Sequence, residues 1–245
     1  MTTFHISLAG RTIAVQAQYD FARQFCRDYL TGDPKAVIEA SASPEDIRRD
    51  MEEASTGSPA YAEILGIYRS IAEQLPQFDT FLVHGAAVSC GEKAYLFTAP
   101  SGTGKSTHIG LWKRYLGDRI DIVNGDKPLL RLQGGQVDVC STPWAGKERW
   151  QKNRIVPLDG ICLLHRGTEN RIRPIAPGNY LDELMHQVYL PTRAETMVIT
   201  LHLLDEVLRR TPLYLLECDI SEQAVRTSFE ALTGQPYACP AEDAL

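Results

Sequence analysis

The segment Ala99–Thr107, with the sequence APSGTGKST, constrains the fold of this chain more than any other. Apolar residues typical of a β-strand lead into it at Ala94–Ala99. After it, Lys105–Leu116 carries Ile109 and Trp112 at helical spacing. In a glycine-rich turn between a strand and a helix, consecutive backbone N–H groups converge and bind phosphate oxygens. The segment therefore predicts an α/β fold with a nucleotide-binding turn.

The segment matches the pattern G-x-x-x-x-G-K-[ST] at every position except the first, where Ala99 replaces glycine. Lys105 is expected to reach the β- and γ-phosphates, and the hydroxyl of Ser106 to bind Mg²⁺. Pro100 has no N–H to donate, so the start of the turn is expected to be extended. The alternative is a plain turn that happens to contain a lysine.

The predicted nucleotide-binding residues are Ser101, Gly102, Thr103, Gly104, Lys105, Ser106 and Thr107. The predicted cofactors are ATP, with GTP as an alternative, and Mg²⁺.

Composition narrows the class of partner. The chain has 245 residues, 44% of them hydrophobic, which is enough for one large core or for one core and a smaller unit. No run of about 18 uncharged apolar residues occurs and the start does not resemble a signal peptide, so a cytoplasmic protein without membrane contact is expected. The net charge of −6 argues against a nucleic-acid partner.

The six cysteines lie far apart, without the spacing of a metal site. We expect them to be reduced and mostly buried. They are Cys26, Cys90, Cys140, Cys162, Cys218 and Cys239.

Residues 1–80 predict a small α+β unit without a catalytic pattern. After a hairpin, a short helix is predicted at Tyr19–Leu30. A second helix is predicted to begin at Pro44 with Ser43 as its N-cap, and a third to cover Pro59–Leu75. Residues 81–245 alternate strands and helices with interleaved hairpins, which predicts a P-loop core around a mixed β-sheet.

His84 is the first candidate residue of the larger domain. Gly91 and Glu92 are expected to form a two-residue hairpin loop, so that Cys90 pairs with Lys93 and His84 with residue 99. This register places the imidazole beside the glycine-rich turn, where it can accept a proton or donate to a phosphate oxygen. The alternative is a core histidine bonded to a carbonyl group.

Asp126 lies 21 residues after Lys105, enough for one helix, a turn and one strand. It is therefore expected at the carboxyl edge of a neighbouring strand, where α/β sheets bind ligands. A carboxylate there can accept the proton of an attacking hydroxyl or bind Mg²⁺. The alternative is a turn aspartate, because Asn-Gly-Asp is also a turn composition.

The basic segment Lys127–Arg154 contains six Lys/Arg against two acidic residues. Within it, the loop around Trp144 is expected to present Lys147, Arg149 and Arg154 to an anionic group such as the γ-phosphate or a substrate carboxylate. The alternative is a tryptophan-anchored surface turn with ordinary basic residues.

Ser101–Thr107 resembles the loop S-G-x-G-K-[ST] of the HPr kinase/phosphorylase and phosphoenolpyruvate carboxykinase superfamily. Val83–Gly85 is similar to the His-Gly pair before that loop, and Ile122–Pro128 is similar in placement to the family's paired-aspartate segment. The resemblance covers about residues 81–165 and implies a kinase-like core. In that family one aspartate acts as general base and one lies near the metal, whereas here Gly125 precedes a single aspartate. The R-G-x-G core of the HPr kinase signature is absent, so HPr itself is a doubtful substrate.

The sequence thus predicts an ATP-dependent kinase that transfers the γ-phosphoryl group to a hydroxyl of a peptide, a protein or a small metabolite. The catalytic candidates are Asp126, His84 and Lys105, and the metal-binding candidates are Ser106 and Asp126. The alternatives are a nucleotide-binding regulatory or interaction module, a simple nucleotide hydrolase and, more remotely, a carboxykinase. An oligomer is compatible with these residues.

Overall fold

The computed structural model describes residues 1–53 and 57–237, which divide into two units. The first unit comprises Met1–Phe81 and Leu190–His202. The second comprises Leu82–Tyr189 and the described residues from Leu203 to Tyr237. The first unit is thus formed by two separate stretches of the chain.

A three-stranded sheet and three helices form the main part of the first unit. Its elements are β1 (Thr2–Leu8), β2 (Arg11–Ala17), α1 (Asp20–Phe25), a 3-10 turn (Arg27–Tyr29), β3 (Ile38–Ser41), α2 (Pro44–Glu53), α3 (Pro59–Gln74) and a 3-10 turn (Leu75–Phe78). β1 and β2 are antiparallel, and β2 pairs in parallel with β3. The helix predicted at Tyr19–Leu30 is shorter than expected, because it ends at Phe25 and continues only as the 3-10 turn.

The second unit is larger and contains the glycine-rich segment. Its elements are β5 (Ala86–Cys90), β6 (Lys93–Thr98), α4 (Lys105–Leu116), a 3-10 turn (Gly117–Arg119), β7 (Asp121–Asn124), β8 (Leu129–Gln133), β9 (Gln136–Cys140), β10 (Ile155–Arg166), β11 (Arg171–Pro174), a 3-10 turn (Pro177–Asn179), α5 (Leu181–Met185), β12 (Leu213–Cys218) and α7 (Glu222–Thr233). β4 (Thr80–Leu82) and α6 (Ala194–Arg210) cross the division between the units.

The sheet of the second unit is mixed, which confirms the predicted α/β class. β8, β9, β10, β6, β5 and β7 follow one another in this order, and β12 pairs with the second half of β10. β6, β10 and β12 are parallel, so their carboxyl ends meet at one edge. β7 is antiparallel to β5, which is antiparallel to β6, so β7 also ends at that edge. Open α/β sheets bind ligands at this edge.

The core of the second unit packs α4 and α7 against the sheet. Trp112 is fully buried in it, with its ring 5.3 Å from Phe97 and 5.6 Å from Phe229 between centroids. The tryptophan that the sequence places at helical spacing with Ile109 is therefore a core residue. Within residues 1–53 and 57–237, no helix has both the length and the apolar character needed to cross a membrane.

The described cysteines are free thiols, as predicted. Four of them are buried and Cys90 is half-buried. Cys239 lies outside the described residues.

The predicted register of β5 against β6 is confirmed, but the ladder does not extend to the predicted pair of His84 and Ala99. Cys90 does pair with Lys93, but the ladder ends where Ala86 pairs with Phe97. The chain leaves the ladder before Ala86 because the N–H of His84 donates to Gln187 O at 2.7 Å and that of Gly85 to Asp126 O at 2.9 Å. A Cβ at position 85 would lie 3.0 Å from the carbonyl oxygen of Phe97, so only glycine fits there.

Candidate functional site

The glycine-rich turn connects the end of β6 to the start of α4. Gly102 and Gly104 adopt φ values of 78° and 125°, which residues with a side chain rarely adopt. The N–H of Thr103 donates to Pro100 O at 3.3 Å, and α4 begins at Lys105. The two glycines therefore allow the chain to reverse from strand to helix within a few residues.

Lys105 folds back over the turn. Its side chain is almost fully buried, and its ammonium group donates to Ala99 O at 2.8 Å and to Pro100 O at 3.3 Å. Burial lowers the pKa of Lys105, the charge of Asp126 partly opposes this, and the charge of Lys127 adds to it. The electrostatic influence of Asp126 indicates that the turn and the end of β7 belong to one site.

Arg166, which the sequence did not single out, also holds the turn. It is the last residue of β10, and its Nε donates to Thr103 O at 2.9 Å. Its Nη2 donates to the carbonyl oxygen of Gly102. Its position at the end of an apolar strand is a weak signal, because only the parallel pairing of β10 with β6 brings it to the turn.

Asn124, at the end of β7, shapes the turn that carries Asp126. Its side-chain oxygen accepts from the backbone N–H groups of Asp126 at 3.0 Å and Lys127 at 2.8 Å. Its side-chain nitrogen donates to the backbone oxygen of Thr142 at 3.0 Å and to the hydroxyl oxygen at 3.1 Å. Asn124 is fully buried, so these bonds satisfy a group that would otherwise be costly to bury. The composition Asn-Gly-Asp indicates a turn, but it does not reveal Asn124 as the residue that anchors this turn.

The carboxylate of Asp126 contacts two other polar side chains. Oδ1 lies 3.4 Å from His84 Nε2, and Lys127 Nζ donates to Oδ2 at 3.2 Å. Burial raises the pKa of Asp126, but the hydrogen bonds and charges of His84 and Lys127 outweigh it and hold the pKa below its usual value. Asp126 is therefore ionised at neutral pH.

His84 lies beside Asp126, just beyond the end of the ladder between β5 and β6. Its Nδ1 pairs with Gln187 Oε1 at 3.0 Å, which leaves Nε2 toward Asp126. Its backbone oxygen accepts from the hydroxyl of Thr98, the last residue of β6, at 2.9 Å. Through these contacts His84 links the end of β6 to Asp126.

Gly125 occupies the position where the resemblance implies a second aspartate. A Cβ there would lie 3.0 Å from Ala145 O and 3.4 Å from Trp150 O. The segment 145–150 therefore packs closely against residue 125, and a side chain there would require the neighbouring backbone to shift.

Of the three candidate substrate residues, Arg154 lies away from Asp126, whereas Lys147 and Arg149 are on the segment that packs against Gly125. The side chain of Lys147 is exposed and lies 3.9 Å from Glu148. Arg149 is also exposed. Arg154 pairs with Asp121 at 3.0 Å, at the start of β7 and thus at the opposite end of that strand from Asp126.

Ser106 and Thr107 lie in the first turn of α4, with Ser106 half-buried and Thr107 exposed. In the part of the chain that the structure describes, no group of three His, Cys, Asp or Glu residues is close enough to hold a metal ion. A metal bound by Ser106 and Asp126 would therefore need further oxygen ligands.

A cavity of about 520 Å³ opens beside the turn. Gly102, Thr103, Gly104 and Thr107 form one side of it, and Arg166 and Asp219 lie at the ends of β10 and β12. Its apolar lining comes from Leu111, Leu164 and Ile220. The cavity thus combines a polar side at the turn with an apolar side.

The fold and site define an α/β protein with a glycine-rich, lysine-containing turn at the carboxyl edge of a mixed sheet. No protein-family model matches the sequence, and no similar sequence is found among curated proteins. Among solved structures, the chain is similar to the HPr(Ser) kinase/phosphatase from Coxiella burnetii. The match has a TM-score of 0.35 and 12% identity, and it covers 62% of this chain and 93% of that chain. At this TM-score the similarity assigns neither a family nor an activity.

Proposed function

We propose that this protein is an ATP-dependent kinase with a P-loop core, which transfers the γ-phosphoryl group to a hydroxyl acceptor. One observation carries the proposal: the lysine-containing turn, the ionised Asp126 and a cavity of about 520 Å³ share the carboxyl edge of one sheet. Phosphoryl transfer depends mostly on positioning and on charge stabilisation, and these groups supply both.

The phosphates bind the turn in this proposal. The backbone N–H groups at the start of α4 and the ammonium group of Lys105 are the donors. Lys105 exchanges its present carbonyl partners, Ala99 and Pro100, for phosphate oxygens. The base and ribose lie in the cavity, where Leu111, Leu164 and Ile220 supply apolar surface and Asp219 a carboxylate for hydroxyl groups. GTP fits this description as well as ATP.

The residues at the turn also fit Mg²⁺. This ion prefers oxygen ligands and usually retains several waters, so it needs only one or two protein ligands besides phosphate oxygens. The hydroxyl of Ser106 and the carboxylate of Asp126 are oxygen donors of this kind. When bound, the ion neutralises phosphate charge.

Asp126 also orients the acceptor in this proposal. Its ionised carboxylate accepts a hydrogen bond from the acceptor hydroxyl, whose oxygen bonds to the γ-phosphorus as the bond to the β–γ bridging oxygen breaks. The hydroxyl proton passes to Asp126. His84 orients the carboxylate of Asp126 through its Nε2, which lies 3.4 Å from Oδ1.

A second candidate function is a nucleotide-binding regulatory module without phosphoryl transfer. The close contact of residue 125 with Ala145 O favours it, because a second carboxylate beside Asp126 would require the neighbouring backbone to shift. The two candidates agree on nucleotide binding and differ only in turnover.

The two candidates are separated by measuring binding and transfer in the same variants. Calorimetry with Mg²⁺-ATP measures affinity, and γ-labelled ATP added to a lysate of the native cell, followed by mass spectrometry, measures transfer. Lys105→Ala is expected to lower nucleotide affinity at least about tenfold, because it removes a charged phosphate donor. Asp126→Asn is expected to retain binding and to lower transfer about a hundredfold, since the amide accepts no proton.

Matched controls are Lys93→Ala, on the exposed end of β6, and Asp205→Asn, on the surface of α6. Both are expected to behave as wild type. Binding without labelled product in any lysate would favour the regulatory module, and release of free phosphate without a labelled acceptor would indicate a hydrolase. Normal transfer by Asp126→Asn would refute the role assigned to Asp126.

A further inference from the structure

The cavity of about 520 Å³ beside the glycine-rich turn contains the carboxylate of Asp219. Among the described residues that line the cavity, no other residue has a carboxylate. Asp219 directly follows β12 and precedes α7. Because β12 is parallel to β10, and β10 to β6, Asp219 lies at the same edge of the sheet as the turn.

A closed ring of hydrogen bonds holds Asp219 in place. The N–H of Asp219 donates to Asn170 Oδ1 at 3.1 Å, and Asn170 Nδ2 donates to Ser221 Oγ at 3.3 Å. The hydroxyl of Ser221 completes the ring, because it donates to Asp219 Oδ1. Ser221 is also the N-cap of α7 and accepts from the N–H of Ala224 at 3.3 Å. The position of the carboxylate is therefore fixed to the start of a helix.

One oxygen of this carboxylate remains available. Ser221 occupies Oδ1, whereas Oδ2 has no hydrogen bond or ion pair within residues 1–53 and 57–237. Hydrogen bonds from Ser221 and Asn170 lower the pKa of Asp219, so the group is ionised at neutral pH and can only accept hydrogen bonds. Asp219 is exposed, so a ligand in the cavity can reach Oδ2.

The distribution of charge sets the direction in which a ligand can lie in the cavity. At the turn, the donors are the ammonium group of Lys105 and the first N–H groups of α4, which no side chain caps. The negative charge of Asp219 repels an anionic group. The anionic end of a ligand therefore binds at the turn, and an uncharged part that carries hydrogen-bond donors lies beside Asp219.

We propose that Asp219 selects the nucleotide by its sugar: the free carboxylate oxygen accepts hydrogen bonds from ribose hydroxyl groups, so the site prefers ribonucleotides. This inference rests on the nucleotide binding proposed above and names the class of nucleotide. Hydrogen bonds to an ionised acceptor are stronger than those between neutral groups. A nucleotide without these hydroxyl groups loses such a bond and leaves the carboxylate facing the bare sugar ring.

Other ligands fit the carboxylate less well. A phosphate group is repelled by its charge. A divalent cation needs several oxygen ligands, and in the described part of the chain no three His, Cys, Asp or Glu residues lie close enough to hold one. A hydroxyl group needs only one acceptor, which Oδ2 supplies.

The test is calorimetric titration of the whole protein with three probes: Mg²⁺-ATP, Mg²⁺-2′,3′-dideoxy-ATP and tripolyphosphate. Wild type is expected to bind ATP about tenfold more tightly than dideoxy-ATP. Asp219→Ala is expected to bind the two nucleotides equally and tripolyphosphate as wild type does. The ratio of the two nucleotide affinities cancels any effect of the lost charge on the phosphates, which both nucleotides share.

Asp182→Ala is the matched control, since Asp182 lies on α5 with a side-chain exposure of 92%. It is expected to keep the tenfold preference of wild type. Retained binding of dideoxy-ATP by Asp219→Ala shows that the variant is folded. If this variant binds no probe, Asp219→Asn, which preserves the shape of the side chain, takes its place and is expected to reduce the preference.

Each outcome decides the proposal. A preference for ATP that disappears only in the Asp219 variant supports selection by the sugar. Equal affinities in wild type, a preference that persists without the carboxylate, or a tenfold loss of tripolyphosphate binding in the variant overturns it. A preference that depends on Asp219, without phosphoryl transfer in the lysate assay, contradicts the kinase function and leaves the sugar selection supported. A wild-type protein that binds neither nucleotide refutes both proposals.

Discussion

At the scale of single residues, Gly125 gives a direct test of the packing beside Asp126. Replacing it by alanine brings a Cβ within 3.0 Å of Ala145 O. We expect the free energy of unfolding to fall by about 1–3 kcal/mol, because backbone must move to relieve the overlap. Urea denaturation measures the change. Gly178→Ala is the matched control, since no atom lies within 4 Å of its Cβ position. Equal stability of the two variants would contradict the close packing at residue 125.

The candidate residues differ in how far the sequence could predict them. Lys105 was found because the spacing of the turn is local, and the structure brings Asp126 and His84 together at 3.4 Å. Their roles stay predictions. Asn124 and Arg166 were missed as site residues because their partners, Thr142 and the backbone of the turn, are distant in sequence. No local pattern signals such contacts.

At the scale of elements, the start of α2 follows from its sequence. Ser43 Oγ accepts from the N–H of Asp46 at 3.1 Å, and a side-chain oxygen of Asp46 accepts from the N–H of Ser43 at 3.1 Å. This reciprocal pair satisfies N–H groups that the first helical turn leaves free. The predicted N-cap is therefore confirmed.

Ser43→Ala is expected to lower the free energy of unfolding by about 1 kcal/mol, the usual effect of losing a helix cap. Urea denaturation at neutral pH tests this, with Ser7→Ala in β1 as control.

The hydrogen bond from Ser43 lowers the pKa of Asp46 below its ordinary value of 3.8. The contribution of Asp46 to the free energy of unfolding is therefore present above pH 3.8 and is lost as the pH falls through the lower pKa of the folded state. A difference between wild type and Ser43→Ala that persists unchanged in strong acid would contradict the capping pair.

Two short strands could not be predicted from the sequence pattern. β3 and β11 each have four residues, too few for an alternating pattern to stand out. β11 is also mostly exposed, and two of its four residues, Arg171 and Arg173, are charged. Both strands exist because a longer strand, β2 or β12, offers an edge for pairing.

At the scale of the whole molecule, His108 makes stability depend on pH. It is buried between α4 and α7, where Nε2 lies 3.0 Å from Ser228 Oγ and 3.1 Å from the Trp112 indole nitrogen. Burial lowers its pKa from 6.5 to about 4. The unfolded chain therefore binds a proton more readily, so stability falls as the pH drops below 6.5 and continues to fall until about 4.

Over this whole pH range, His108 lowers the free energy of unfolding by about 3 kcal/mol. Urea denaturation between about pH 7 and pH 4.5 is expected to show this loss in wild type and a smaller loss in His108→Gln. His202→Gln, an exposed histidine of α6, should keep the slope of wild type. If His108→Gln and wild type lose stability in parallel, the histidine is not buried in neutral form.

The division of the chain into domains 1–80 and 81–245 stays a prediction. Contacts within the structure assign Leu190–His202 to the first unit. A sequence pattern reports elements but not which distant element each one packs against, so this assignment could not be foreseen.

The sequence by itself determined the local features: the glycine-rich turn, the helix after it, the buried face that carries Trp112, and the cap of α2. Each depends on spacings of a few residues, where propensity and hydrogen bonding act directly. Only the tertiary structure decided the order of the strands in the sheet, the contact between His84 and Asp126, and the close packing at Gly125. These depend on the pairing of segments far apart in the chain, which is selected by the packing of the whole core.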